Sequence, residues 1–374
     1  MIAVCASYSS QLTIDLNAVR ANYVAISSHV APAKCGVVLK ANAYGLGASE
    51  IAKALVEEGC RHFFVAHLSE AFLLFETVGP GNRIFILNGL DPGCEPACAH
   101  WGFIPVLNSS SQIMRWRTLA RYRGHPLAGA VQIDTGMSRL GIDIETTAML
   151  MAEPKLADEL SLELIMTHLS CADQTGHPVN ESQLAKFRRI ISHADGIPAS
   201  IANTAGSFLP GFGFDMVRSG VGLFGGLPQS QLRPVINLDA RVIQIRDVPR
   251  GTGVGYGHDY ITPGISRLAT VAIGYADGIP RSLSGKGAAW HQGIRLPIVG
   301  RISMDSLSID VSCLHESSLR EGDFVEIIGS SQSLCDLARD AETIPYEILV
   351  RLGSRHQRVY LNNGSTDIRP GNFQ

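Results

Sequence analysis

Nothing in these 374 residues approaches the run of about 20 apolar residues that a membrane-spanning helix requires. The opening residues, Met1-Ile2-Ala3-Val4-Cys5-Ala6-Ser7, have neither the charged n-region nor the long apolar core of a secretory signal. Charge is scarce as well. Thirty-one Lys and Arg against 34 Asp and Glu leave a formal net charge of −3, so no basic field points to nucleic acid. The eight cysteines follow no framework of spacings; Cys94 and Cys98 form a lone close pair, with no second pair to complete a four-ligand zinc site. The spacing of His168, Asp173 and His177 fits no closed ligand set either, so no metal is expected. A reduced, cytoplasmic protein with no membrane or nucleic-acid partner is the expectation. Internal repeats and low-complexity tracts are missing. No G-x-G-x-x-G follows the first strand, which removes the main support for an open dinucleotide-binding sheet.

What the chain does have is apolar content: 45% of it, over a length that suggests two domains, each with its own core. Leu12–Leu16 alternates like a strand, and Asn17 is placed to N-cap a helix running to about Val30. Short apolar runs then recur at 36–40, 62–66, 83–87, 103–107, 127–134, 162–166, 198–202 and 215–218, with amphipathic segments such as 48–58, 109–121 and 180–193 between them. Eight such runs, each followed by a helical stretch, is the count that closes a (β/α)8 TIM-type barrel. The rhythm changes near Leu232. A long alternating strand at 234–246 is followed by short ones at 268–273, 294–299, 307–311, 324–328 and 359–361, with glycine-rich turns, which predicts a mostly β second domain. The expected division is 1–231 and 232–374, with the boundary at about 228–234 beside Pro228 and Pro234.

The stretch Cys35-Gly36-Val37-Val38-Leu39-Lys40-Ala41-Asn42-Ala43-Tyr44-Gly45-Leu46-Gly47 organises the rest. It reads as a strand buried on both faces that delivers Lys40 as it leaves the core. A lysine at the mouth of an apolar cavity loses its proton more readily and can form a Schiff base; the plainer alternative is a strand-end lysine reaching into water. Tyr44 could present its hydroxyl to the same space. A barrel of this kind builds its site at the C-terminal ends of its strands, where Lys40, Asn88, Arg139, His168, Asn203, Thr204 and Arg218 all fall. The hydroxyl of Thr204 and the amides of Gly220 and Val221 would suit a phosphate dianion. In the second domain, Gly253-Val254-Gly255-Tyr256-Gly257, Ile273-Gly274-Tyr275-Ala276-Asp277-Gly278 and Val299-Gly300-Arg301-Ile302-Ser303-Met304-Asp305 each set one prominent side chain on a turn.

The string VVLKANAYGLG resembles the cofactor-lysine motif of alanine racemases, enzymes that use pyridoxal phosphate (PLP). So do the strings DTGMSRLGI from Asp134, MTHLSCAD from Met166, ANTAG from Ala202, VRSGVG from Val217 and the three turns of the second domain. The resemblance runs from about Leu12 to about Tyr360, whereas single-domain PLP-binding homeostasis proteins would lack the second half. It implies that Lys40 holds PLP covalently and that Tyr44, Thr204, Gly220 and Val221 face its phosphate. It also implies that Arg139 serves the phenolate side and the substrate carboxylate, that His168 and Asn203 lie beside the cofactor, and that Arg218 faces the pyridine nitrogen. A guanidinium there, being donor-only, keeps that nitrogen unprotonated, which favours simple proton exchange over transamination. Related decarboxylases place a carboxylate at that position. Racemisation of L- and D-alanine by two acid–base groups, Lys40 and Tyr256, is the implied reaction, supplying D-alanine for peptidoglycan or degrading it. Tyr256, supported by His168, together with Tyr275 and Met304 at the substrate mouth, would come from the neighbouring subunit of a head-to-tail homodimer. A racemase of broader or serine preference is the nearest rival. Two positions depart from the family pattern. Gln132 stands where many relatives carry a carbamylated lysine, leaving Arg139 the amide oxygen or a small anion as partner; Ser354 stands where many have a phosphate-side tyrosine.

Overall fold

The computed structural model describes residues 8–194, 196–227 and 232–369. Strand β1 (Ser10–Asp15) leads into a helix, Leu16–Val30. The expected N-cap is displaced by two residues: the Asp15 carboxylate accepts from the amides of Asn17 (2.8 Å) and Ala18 (3.1 Å). Eight strands follow: β2 (Lys34–Val38), β3 (His62–Val65), β4 (Arg83–Ile86), β5 (Ile104–Leu107), β6 (Leu127–Gln132), β7 (Leu160–Met166), β8 (Ala199–Ser200) and β9 (Met216–Ser219). All neighbours in the sheet are parallel, in the order β8-β7-β6-β5-β4-β3-β2-β9. Backbone bonds from Asp215 to Ala199 (3.1 Å) and from Arg218 to Ala202 (2.9 Å) draw the two ends together into a nearly closed barrel. The barrel is filled, as the apolar runs require, by Val38, Phe64, Phe85, Ile104, Val106, Leu164, Met166 and Met216. Phe64 stacks on Phe85 with ring centroids 4.6 Å apart. A Cβ at Gly36 would come within 2.6 Å of the Phe64 ring, so the glycine in β2 makes room for that pair.

The remaining strands are β10 (Ile236–Val248), β11 (Gly253–Val254), β12 (Tyr260–Ile261), β13 (Ser266–Val271), β14 (Ala288–His291), β15 (Ile294–Val299), β16 (Leu307–Asp310), β17 (Phe324–Ile328), β18 (Gln357–Asn362) and β19 (Ser365–Arg369). The large sheet runs β13-β16-β15-β14-β17-β10-β1-β18-β19, and β13 also pairs with β10, so six of its strands close on themselves. Thirteen residues make β10 long enough to serve β1 and β17 with its first half and β13 with its second.

The first strand thus departs from the expected division. It pairs antiparallel with β10 and parallel with β18, and the described residues up to Val19 group with those from Phe224 onwards, while the described residues of 20–223 form the barrel unit. Its partners lie more than 200 residues away, which no local pattern reveals. Of the boundary expected at 228–234, residues 228–231 lie outside the described residues. Among the described residues no helix is long and apolar enough to cross a membrane.

Candidate active site

The Leu39 amide still donates to the Phe64 carbonyl (2.8 Å), so Lys40 is the first residue clear of the barrel sheet. A turn of left-handed helix follows it. Ala41, Asn42, Ala43 and Tyr44 have φ of 53°, 54°, 53° and 56°, a region that costs a non-glycine residue about 1–2 kcal/mol. The turn persists because its surroundings over-determine it, a pattern typical of functional sites. The Ala43 amide donates to Leu39 (2.8 Å), Gly45 to Ala41 (2.7 Å) and Gly47 to Asn42 (3.0 Å). The Asn42 side chain accepts from the Ala48 amide (2.8 Å) at the head of helix Ala48–Glu57. The Ala41 amide donates to Glu70 Oε1 (2.6 Å). Burial, and then the Arg139 guanidinium, lower the proton affinity of Lys40, with Glu70 pulling the other way.

Arg218 is the third residue of β9 and is only 3% exposed. It donates to the Ser200 carbonyl (3.0 Å) and hydroxyl (2.5 Å), to the Thr167 carbonyl (2.7 Å) and to His168 Nδ1 (3.4 Å). Burial brings its pKa down to about 9. Because a guanidinium only donates, His168 Nδ1 must accept, and the neutral ring carries its proton on Nε2. Burial, with Arg218, Arg139 and Lys40 nearby, holds that imidazole down at about 3.

Tyr44, Thr204 and Gly220 meet. The Gly220 amide donates to Thr204 Oγ1 (2.8 Å), and a Cβ at 220 would fall 2.3 Å from Tyr44 Oη. Only glycine lets the hydroxyl and the backbone approach so closely. Val221 opens a 3-10 turn, Val221–Phe224, whose leading amides have no partner within the turn. Asn203 does something else with its oxygen: Oδ1 accepts from the Gly206 amide (2.9 Å) and shapes the following turn.

Arg139 stands exposed on a loop that Asp134 builds, its Oδ1 accepting from the amides of Gly136 (2.8 Å), Met137 (2.9 Å) and Ser138 (3.2 Å). The expected pairing of Gln132 with Arg139 is not formed among the described residues. The buried Gln132 amide instead donates to the Leu140 carbonyl (3.1 Å), inside the turn that brings the chain back to β6. Asn88 is exposed after β4, and its carbonyl accepts from Gln112 (3.2 Å).

Glu70 and Gln183 were not singled out from sequence, because both act through backbone groups of other segments. Gln183, buried on helix Pro178–Ile191, donates to Thr135 Oγ1 (3.2 Å) and the His168 carbonyl (2.9 Å) and accepts from the Ser170 amide (3.0 Å). It holds the loops carrying Arg139 and His168 in one register. A buried polar residue on an otherwise amphipathic helix was the one available signal.

The other four candidates belong to the β unit. Tyr256 is 69% exposed between Gly255 (φ 69°) and Gly257 (φ 75°). Tyr275 and Met304 are exposed on turns joined by bonds from Tyr275 to the Ser303 carbonyl (3.1 Å) and from Ala276 to the Met304 carbonyl (3.0 Å). The third turn is tied in through Arg301, which pairs with Asp259 and lies against Gly255 and Gly257. Ser354 is exposed, next to Arg355, which pairs with Asp277 (3.2 Å) and Asp305 (2.7 Å).

Residues 14–228 match the profile of the alanine racemase N-terminal domain, and residues 235–360 that of the alanine racemase C-terminal domain. The chain belongs to the alanine racemase family. It is 46% identical over 375 residues to the alanine racemase of Brucella abortus, covering 95% of each chain. It is also 46% identical to a protein of Agrobacterium fabrum called alanine racemase, catabolic, covering 95% of this chain and 93% of that one. Among solved structures, the alanine racemase of Bartonella henselae with covalently bound pyridoxal phosphate superposes with a TM-score of 0.91 at 41% identity, covering 95% of this chain and all of that one. The biosynthetic alanine racemase of Pseudomonas aeruginosa gives 0.86 at 32%, with the same coverage.

Proposed function

We propose that this chain is a PLP-dependent alanine racemase that interconverts L- and D-alanine with Lys40 and Tyr256 as its two acid–base groups, working as a cytoplasmic head-to-tail homodimer. The observation that carries the reading is Lys40 itself, set on a left-handed turn at the barrel mouth with its ammonium form disfavoured. An amine that gives up its proton readily is what covalent capture of an aldehyde needs.

The donor set fits the cofactor. The hydroxyls of Tyr44 and Thr204 and the amide of Val221 are neutral groups suited to a phosphate; the Gly220 amide, by donating to Thr204 Oγ1, leaves that hydroxyl's own proton for the ligand, and the side-chain-free face of Gly220 leaves the close approach that a Cβ would block. Ser354 would add a hydroxyl where many relatives place a tyrosine. Arg218 can only donate, so it suits a ring nitrogen that accepts and keeps that nitrogen unprotonated. When bound, PLP supplies an electron sink that lets the proton on the substrate α-carbon leave.

The chain's own groups do the rest. Arg139 holds the substrate carboxylate, while Tyr275 and Met304 line the approach. Lys40 moves a proton on one face of the α-carbon, and Tyr256 moves one on the opposite face, so neither base has to cross. His168, neutral with its proton on Nε2, would donate to the Tyr256 oxygen that the neighbouring subunit presents. The same reaction serves biosynthetic and catabolic roles, and relatives bear both descriptions. The buried thiols of Cys35, Cys60 and Cys98, all unbridged, support a reducing compartment.

Borohydride reduction of the yellow protein, followed by peptide mapping, should find the cofactor on Lys40; an adduct on another lysine, or none, defeats the reading. Tyr256→Phe should slow turnover by roughly 10²–10⁴, the usual worth of one positioned acid–base group. The loss should differ between L- and D-alanine, because the tyrosine serves one face only. Equal, small losses in both directions would mark it as structural.

A further inference from the structure

Helix Leu68–Val78 carries Glu70 in its first turn. Its carboxylate faces two segments at once. Oε2 accepts from the amides of Ala66 (2.7 Å) and His67 (3.1 Å), closing the N-terminus of its own helix. Oε1 reaches outward and accepts from the Ala41 amide (2.6 Å), the first amide of the left-handed turn. The second interaction contributes nothing to the helix. It fixes the peptide immediately after Lys40, whose carbonyl and amide set the direction in which the lysine leaves the sheet.

We propose that Glu70 is the positioning residue of the Lys40 turn: by holding the Ala41 amide it keeps four non-glycine residues left-handed and so presents Lys40 to the cofactor. The inference rests on the PLP reading for what Lys40 captures, but the geometry it invokes belongs to the protein alone. The two oxygens explain why a carboxylate is required. A glutamine would keep one acceptor and turn an NH2 group toward either Ala41 or the helix amides, both of which donate. An aspartate is one methylene too short to span both. Releasing the Ala41 amide leaves the turn dependent on its internal bonds, with the unfavourable φ of every residue still to be met. The negative charge has a second effect, since it offsets part of the depression of the Lys40 pKa.

The test uses Glu70→Ala and Glu70→Gln, with Ser69→Gly as comparison. Ser69 is exposed on the same first turn, and glycine there weakens the helix without touching Ala41. Hydrogen–deuterium exchange on the apoproteins should show the 39–47 peptide opening at least tenfold faster in both Glu70 variants, the size of one lost bond to a charged acceptor. Ser69→Gly should leave that peptide near wild type. PLP titrated into the apoproteins, followed by absorbance of the lysine-linked cofactor, should bind about tenfold more weakly to the Glu70 variants, with the midpoint of the absorbance change against pH displaced from wild type. Glutamine is nearly isosteric, so Glu70→Gln keeps the test open should the alanine variant fold poorly. Equal loosening of 39–47 by Ser69→Gly and Glu70→Gln overturns the proposal, as does wild-type PLP affinity in Glu70→Gln. Failure of the wild-type protein to take up PLP on Lys40 would instead remove the functional reading, while the exchange result would still decide whether Glu70 holds the turn.

Discussion

A guanidinium sealed in the barrel among two carbonyl-bearing loops, a serine and an imidazole does more than occupy space: it fixes the protonation of its neighbour. Arg218 forces His168 to accept at Nδ1, and burial with the surrounding cations keeps the ring neutral down to about pH 3. A histidine in the unfolded chain titrates near 6.5. Between those values the unfolded state binds the extra proton, so stability is complete above about pH 6.5 and falls as pH drops toward 3. His168→Gln removes this one contribution. Urea unfolding at pH 7 and pH 5 should show the wild type losing about 2 kcal/mol more than the variant, from about 1.4 kcal/mol per unit over one and a half units. Equal losses would mean the ring is already solvated in the native state. Gln132 gives a second test at this scale. Its amide cannot react with carbon dioxide, and it is turned toward Leu140 rather than Arg139. Stripping carbon dioxide from the assay should therefore leave turnover unchanged, whereas loss of activity restored by bicarbonate would show that a carbamate forms elsewhere.

Asp239 on β10 sits directly opposite Glu326 on β17, the arrangement of like charges that weakens an antiparallel pair. Burial and then the Glu326 carboxylate push Asp239 up to about 6. Here the folded state holds the extra proton, so stability falls as pH rises from the usual carboxylate range through about 6. Asp239→Asn should raise the melting temperature at pH 8 by a few degrees, the effect of roughly 1 kcal/mol in a domain of this size, and should change little near pH 3, where the carboxyl is protonated in the folded and the unfolded chain alike; a shift equal at both pH values would trace to packing instead. Strands were legible to the degree that burial writes itself into local sequence. The barrel strands are buried on both faces toward their C-terminal ends, and their apolar runs mark them in the sequence. β1 pairs with β10 and β18, which no local pattern reveals, and β14 leaves little trace because Ala288–His291 is short and its Trp290 is half-buried. Lys40, His168 and Arg218 stand out in the sequence for the same local reason, each interrupting an apolar run. The left-handed turn does not: Ala41, Asn42, Ala43 and Tyr44 share no preference for positive φ, and the groups that impose it, Glu70 above all, come from another element.

At the scale of the whole molecule, two facts bear on how a working site is assembled. Lys40, Arg139, His168 and Arg218 belong to the barrel unit, and Tyr256, Tyr275 and Met304 to the β unit. The latter three are large side chains left 69%, 44% and 53% exposed on three turns that are bonded to one another. A hydrophobic group held this firmly in solvent is a surface prepared for a partner, and the proposed head-to-tail dimer would cover it with the barrel of a second copy. Complementation tests this directly. Lys40→Ala and Tyr256→Phe subunits, co-expressed with different tags, should each be nearly inactive as homodimers. In a heterodimer built across two subunits, one site receives both defects and the other receives neither. Purified heterodimer should then show about half of wild-type turnover, and an unsorted equal mixture about a quarter, since half of randomly paired dimers are mixed. If each subunit completed its own site, every site in the heterodimer would carry one defect, and turnover would stay at the level of the single variants. Because co-expression pairs the chains as they fold, slow exchange between mature dimers cannot produce that null result.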